Sequence, residues 1–232
     1  ALGGLFGCAP DEAASADVES YQPNIVLIFV DDLGYADLGV HGSDEILTPN
    51  IDRLAREGVL LTQGYVSAPQ CSPARAGILT GRSQSRFGFE MNVPPGYSVS
   101  AQELLAGKPL PGMPTSEVTI AQRLKAAGYV TGAVGKWHLG EEEEFHPMSR
   151  GFDEFYGFLR GGSNYLPGRR TPVVERDGTR EVCREYLTDS FSHEAASFIE
   201  RHHEEPFFLY LAYNCPHTPM EAKPEDLQRF SG

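Results

Sequence analysis

Cys71 and Arg75 belong to a compact stretch, Cys71-Ser72-Pro73-Ala74-Arg75-Ala76-Gly77-Ile78-Leu79-Thr80-Gly81-Arg82. Pro73 lacks an N–H and has a preset φ, so it suits the first turn of a helix. Ser72 is then the expected N-cap, and the pattern predicts a helix from about Pro73 to Leu79, ended near Gly81. Cys71 falls just before that helix, where free N–H groups and the dipole favour anions. Arg75 projects from the first turn towards it. A reactive group beside a fixed cation suits chemistry on a charged oxyanion. Taken alone, the same residues also describe a buried structural cysteine ahead of a Pro-started helix.

Other polar residues of matching chemistry lie far away in sequence. Asp31 and Asp32 are adjacent carboxylates; placed after a buried strand, they need a cation or they hold a proton. A hard divalent ion with oxygen ligands is the natural partner, although Asp-Asp also occurs in solvated loops. Lys136 and His138 are two apart, which puts both on one face of a strand and Trp137 on the other. A Lys offers a point charge to an oxyanion, and a His exchanges protons near neutral pH. By themselves the pair also fits a snorkelling Lys and a packed His at a sheet margin. His217 stands in Pro216-His217-Thr218-Pro219, whose prolines are expected to keep it extended and stiff. His193, His202 and His203 read as surface groups among Glu residues.

The elements that must position these groups follow from the hydrophobic pattern. Residues 25–30, Ile-Val-Leu-Ile-Phe-Val, form an apolar run typical of a buried parallel strand, with Asp31-Asp32 at its carboxyl end. A helix is predicted near 51–57, begun at Thr48-Pro49-Asn50 and stopped by Gly58, and a short strand at 59–62. An amphipathic helix is predicted over 116–127, a strand over 129–134 leading to Lys136, a helix over 188–202, and a strand over 206–213 leading to His217. Residues 91–114 are rich in Pro and Gly and read as a surface loop. Strands alternating with helices mean an α/β fold with a mainly parallel central sheet flanked by helices. In such sheets ligands bind at the carboxyl edge, where all three polar sets are predicted to fall.

The chain has 232 residues, 41% hydrophobic and 22% charged, enough for one α/β domain with a sizeable core. Its net charge of −13 excludes a typical nucleic-acid binder and reads as a device for solubility. No apolar run is long enough to span a bilayer.

The stretch from Cys71 to Arg82 resembles the signature of the type I, formylglycine-dependent sulfatases of the alkaline-phosphatase-like superfamily. Three other segments resemble that family too. These are Asp31-Asp32 with Leu33-Gly34-Tyr35-Ala36-Asp37-Leu38-Gly39, the run Gly128 to Gly140 around Gly135-Lys136-Trp137-His138, and Gly151 to Gly157. The last is expected to pack beneath the site. The resemblance implies a sulfuric ester hydrolase of the aryl- or carbohydrate-sulfatase type. In it Cys71 is oxidised to formylglycine by a formylglycine-generating enzyme, and the hydrated aldehyde attacks sulfur. It implies Ca2+, rather than Mg2+, on Asp31, Asp32 and an oxygen at residue 71. Arg75 and Lys136 offset charge, His217 protonates the leaving oxygen, and His138 takes the proton that lets sulfate leave.

The family's later Asp-Asn-Gly and a further Lys have no counterpart here, so residues 21–232 are expected to be the N-terminal portion of the catalytic domain, truncated at the C-terminus. That portion alone is expected to be inactive or nearly so, with exposed edge strands. Residues 1–20 read as a lipoprotein signal remnant and polar tether, with Leu5-Phe6-Gly7-Cys8 as a lipobox and a lipid anchor at Cys8. This places the protein in a bacterial cell envelope, periplasmic or surface-exposed; an incidental Cys at a frayed terminus is the alternative. Cys183 and Cys215 are left either paired or free.

Two rival functions fit the same residues. One is a phosphatase or phosphodiesterase of the same superfamily. The other is a non-catalytic lipoprotein that binds sulfated glycans. Arg160, Arg169 and Arg170 in a Gly-rich loop either hold a polyanionic glycan or form a solvated face, and Glu141 to Glu144 would oppose the former.

Overall fold

The computed structural model describes residues 22–168 and 170–230. The N-terminal tether and lipobox therefore lie outside the described residues, as does Arg169. The strands are β1 (Ile25–Asp31), β2 (Val130–Lys136), β3 (Glu154–Phe158), β4 (Val173–Arg176), β5 (Thr179–Val182) and β6 (Phe207–Pro216). The helices are α1 (Pro49–Glu57), α2 (Cys71–Thr80), α3 (Ala101–Leu105), α4 (Ile120–Ala126), α5 (Leu187–His202) and α6 (Pro224–Gln228). One six-stranded sheet runs in the order β1-β6-β2-β3-β4-β5. Its first three pairings are parallel, and the hairpin β4–β5 adds two antiparallel strands at the far edge. The fold is thus the mainly parallel α/β sheet expected, with a hairpin the hydrophobic pattern did not mark, because all four β5 residues are exposed.

β6 lies in the middle of its parallel neighbours, and its alternation builds two cores. Phe208, Tyr210 and Ala212 face one side, with Ala76 and Leu79 of α2, Ala121 of α4, Trp137 and Phe152. Phe207, Leu209 and Leu211 face the other, against Leu187, Phe191, Ala195 and Phe198 of α5. Those four helix positions are spaced four, four and three apart, the apolar stripe of an amphipathic helix. Phe152 stacks on Phe208 and Tyr210, so the Gly151–Gly157 segment does pack beneath the site, its second half as β3.

Several boundaries depart from expectation for identifiable reasons. α2 begins at Cys71 with Gln70 as N-cap, two residues early. Ser72 is not a cap: its Oγ accepts from Val93 N and its N–H donates to Asn92 Oδ1, tying the helix to the following loop. α4 begins only after Thr119, whose capping box with Gln122 fixes the start. The 59–62 strand does not form. Val59 and Leu61 are exposed, and no strand edge accepts them among the described residues. The 91–114 loop contains the short α3, started by a capping box between Ser100 and Glu103. The run over 25–30 does form a parallel strand, but not a buried one: β1 lies at the sheet edge with Val26 and Ile28 exposed, because only one of its faces is covered by the core. Among the described residues Cys183 and Cys215 are both free thiols.

Candidate active site at the carboxyl edge of the sheet

β1, β2 and β6 run parallel, so Asp31, Lys136 and the segment after Pro216 reach the same edge. α2 brings Cys71 and Arg75 to that edge, one turn apart on the helix. Asp31 is 3% exposed, Arg75 0% and Lys136 1%. Asp31 Oδ2 accepts from Lys136 Nζ at 2.6 Å, and Oδ1 lies 3.2 Å from Arg75 Nη2. Arg75 Nη1 also donates to the Lys136 carbonyl at 2.7 Å, and its guanidinium lies over the Phe29 ring. Burial alone would push the Asp31 carboxyl up, but Arg75 and Lys136 together hold it below its ordinary value.

This revises the reading of the two adjacent carboxylates. Asp31 is compensated from within the chain. Asp32, in the left-handed region at φ 62, turns its side chain outward. The buried cluster holds one carboxylate against two cations, a surplus positive charge where water is excluded. Such a place favours an anion or an anionic transition state.

Cys71 lies beside this cluster. Burial raises its thiol above the ordinary value, more than nearby Lys136 lowers it. It therefore stands as a neutral thiol rather than the thiolate a cysteine nucleophile requires. His217 lies on the other side. Its Nδ1–H donates to the Thr218 carbonyl at 2.7 Å, which leaves Nε2 open, 3.9 Å from Asp32 Oδ2. The chain bends after Pro216 instead of staying extended, with His217 N donating to Asn214 O. Ligand atoms of Asp31, Cys71 and His217 all lie within 4.8 Å of one another.

His138 follows the end of β2 with φ 58, a left-handed turn that returns its ring to the side of Lys136 while Trp137 enters the core. The ring is 6% exposed, and its Nε2–H donates to the Val93 carbonyl at 3.0 Å. Nδ1 is then a buried lone pair without a partner among the described residues. Burial lowers this group to about 4, and Lys136 adds to the effect. Below pH 6.5 the unfolded chain takes a proton here that the folded chain refuses, so stability falls as pH falls from 6.5 to 4. The full window amounts to about 3 kcal/mol. Urea unfolding at pH 7 and at pH 4.5 checks it: the loss is expected to shrink in His138→Gln, and an unchanged slope in that variant refutes the assignment.

The oxygen donors suit a hard divalent cation, whereas the thiol and imidazole do not. Asp31, Asp32 and an oxygen in place of the Cys71 sulfur are the residues that would hold Ca2+; the ion would compete with Lys136 and Arg75 for Asp31, would need Asp32 to turn inward, and would find fewer than the six to eight ligands it takes. The strand pattern placed Asp31, Asp32, Lys136, His138 and His217 at one edge, and the family resemblance added Cys71 and Arg75; the structure brings all seven to that edge. Sequence reasoning missed three supports. Tyr210 places its hydroxyl 3.5 Å from Arg75 Nη1. Val93 fixes the His138 ring through its carbonyl. Tyr165 donates its hydroxyl to the carbonyls of both Asn214 and His217, at 2.7 and 2.6 Å. Only Tyr210 carried a signal, its inward parity on a buried strand. His202 was read as surface, yet it is half-buried between Glu154 and Glu205.

The sulfatase family profile matches residues 23–232. The chain belongs to the sulfatase family. It is 39% identical over 217 residues to an N-acetylgalactosamine-6-sulfatase of Mus musculus, covering 86% of this chain and 41% of that protein. It is 32% identical over 259 residues to arylsulfatase G of the same species, covering 97% of this chain and 47% of that one. The crystal structure of Ps i-CgsB superposes with a TM-score of 0.82 at 41% identity, over 91% of this chain and 49% of that chain. This sulfatase chain thus spans less than half the length of these relatives.

Proposed function

We propose that the polypeptide to which these residues belong hydrolyses sulfate esters of saccharides, using formylglycine formed from Cys71 and a Ca2+ ion. Membership of the sulfatase family supports the reaction class. The named activity of the N-acetylgalactosamine relatives supports a sugar substrate, as does the solved complex of Ps i-CgsB with a neocarrahexaose. The single observation that carries the reading is the buried Asp31–Arg75–Lys136 cluster, with its surplus positive charge, against the side chain of residue 71.

Residue 71, once converted to formylglycine by the formylglycine-generating enzyme and hydrated, would be the nucleophile, and Asp31 and Asp32 would hold a cation that, when bound, would offset negative charge there. In this reading Lys136 and Arg75 offset charge on the sulfate and on the hydrated residue 71 as it grows during attack. His217, in its imidazolium form with Nδ1–H held by the Thr218 carbonyl, hands the Nε2 proton to the leaving sugar oxygen and is left as the neutral ring. His138 Nδ1, an acceptor near neutral pH, withdraws the hydroxyl proton at residue 71 that frees the product. The neutral Cys71 thiol is consistent with a residue that is a target of oxidation and not itself the nucleophile.

The test is made on the polypeptide encoded by the complete reading frame, co-expressed with a formylglycine-generating enzyme. Mass spectrometry of the peptide spanning residue 71 is expected to show the aldehyde, and sulfate release from sulfated saccharides to vanish in Cys71→Ala. A thiol retained at 71 in fully active protein would overturn the proposal.

A further inference from the structure

A cleft of about 330 Å3 opens beside the site at the carboxyl end of β3, lined by Phe158, Arg160, Gly162, Ser163, Glu175 and Arg180 among others. Its size falls within the usual range for small-molecule pockets, about 300–1,000 Å3. Two glycines separate it from the catalytic histidines. A Cβ added at Gly161 would lie 2.7 Å from Cε1 and Nε2 of His138, and one at Gly162 would lie 3.8 Å from Cε1 of His217. Gly162, which lines the cleft, thus presents no side chain of its own between it and His217.

The charges lining the cleft are not equally available. Glu141 accepts from Gly96 N at 2.7 Å and from Arg160 Nε at 2.9 Å, so both its oxygens are engaged. Glu175 Oε1 is paired with His146 Nε2. Arg160 spends only Nε on Glu141, and its two terminal nitrogens make no hydrogen bond among the described residues. Arg180 stands opposite Glu175 in the hairpin, close enough to stabilise the Glu141 carboxylate, and has no hydrogen bond or ion pair among the described residues. Glu141 is committed through both oxygens and Glu175 through one, while two guanidinium groups keep free donors. That is the condition for bidentate capture of a carboxylate or sulfate.

We infer that this cleft is a second anion subsite, in which Arg160 and Arg180 bind an anionic substituent, sulfate or carboxylate, on the sugar next to the one carrying the scissile ester. The inference rests on the reading of the protein as a saccharide sulfatase. It makes the hairpin β4–β5 the element that selects among sulfated glycans.

The experiment uses the Cys71→Ala form of the complete polypeptide, which cannot turn over, and titration calorimetry with three defined disaccharides. All share one terminal sulfated sugar; the neighbouring sugar is neutral, sulfated or a uronic acid. At least one charged neighbour is expected to bind tenfold or more tighter than the neutral one, and the tighter of the two identifies the anion. Arg180→Ala is expected to remove most of that gap and to leave the neutral disaccharide within twofold. Arg160→Gln, which keeps a donor towards Glu141, is expected to do the same, with thermal melting confirming that both variants fold. Equal binding of all three ligands, an equal loss for all three in the variants, or no binding at all overturns the subsite. Sulfate release by the protein with Cys71 intact, measured separately, decides the reading beneath it.

Discussion

Asp31→Ala is expected to destabilise the protein by about 3–5 kcal/mol, the usual cost of removing one partner from a buried ion pair. Asp31 is the lone carboxylate between two fully buried cations, and Arg75 and Lys136 are left facing each other without it. Their repulsion is not relieved by water, because neither side chain is exposed. A second substitution gives the argument its control. Asp31→Ala combined with Lys136→Met is expected to recover a substantial part of the loss, since one surplus charge leaves with the lysine. Chemical denaturation of the two variants is the measurement. A loss under about 1 kcal/mol for Asp31→Ala, or a double variant less stable than the single one, would mean that the cluster is not held as described.

Gly135→Ala is expected to cost about 4 kcal/mol or more, or to abolish folding. Gly135 has φ +112, a conformation L-residues avoid, and it lies between β6 and β3 inside the sheet. A methyl group there would overlap the Ala212 carbonyl, and the partner position Gly157 is closed by the Gly135 carbonyl in the same way. Neither obstacle is a flexible side chain, so relief requires two strands to part. Because Lys136 follows directly, the backbone geometry at Gly135 also helps set where that amine reaches the site. Ala133→Gly two residues earlier serves as a control, with an expected loss of about 1 kcal/mol from chain entropy. Equal stability of Gly135→Ala and the unsubstituted protein would remove the packing account of this segment.

Much of this site was written in the chain. The apolar run over 25–30 and the aromatic-rich run over 206–213 were legible as strands, although only the second is buried on both faces. The polar residues that follow such strands must emerge at one edge when the strands are parallel. That rule brought five of the named side chains to one edge, and the family resemblance of the Cys71–Arg82 stretch added Cys71 and Arg75, before any distance was known. What tertiary structure alone decided was how their charges are shared. From sequence, Asp31 and Asp32 were twins in need of a cation. In the fold one is buried between Arg75 and Lys136 and the other turns outward, because φ changes sign at residue 32. Likewise the His138 tautomer depends on the Val93 carbonyl, 45 residues away, and the His217 bend on a Tyr165 hydroxyl, 52 residues away. Local pattern specifies which faces are buried; it does not specify which distant backbone oxygen a buried ring will meet. The hairpin β4–β5 was invisible for the converse reason. β5 is exposed throughout, so no apolar period marks it, and its pairing is satisfied by backbone hydrogen bonds that every sequence can make.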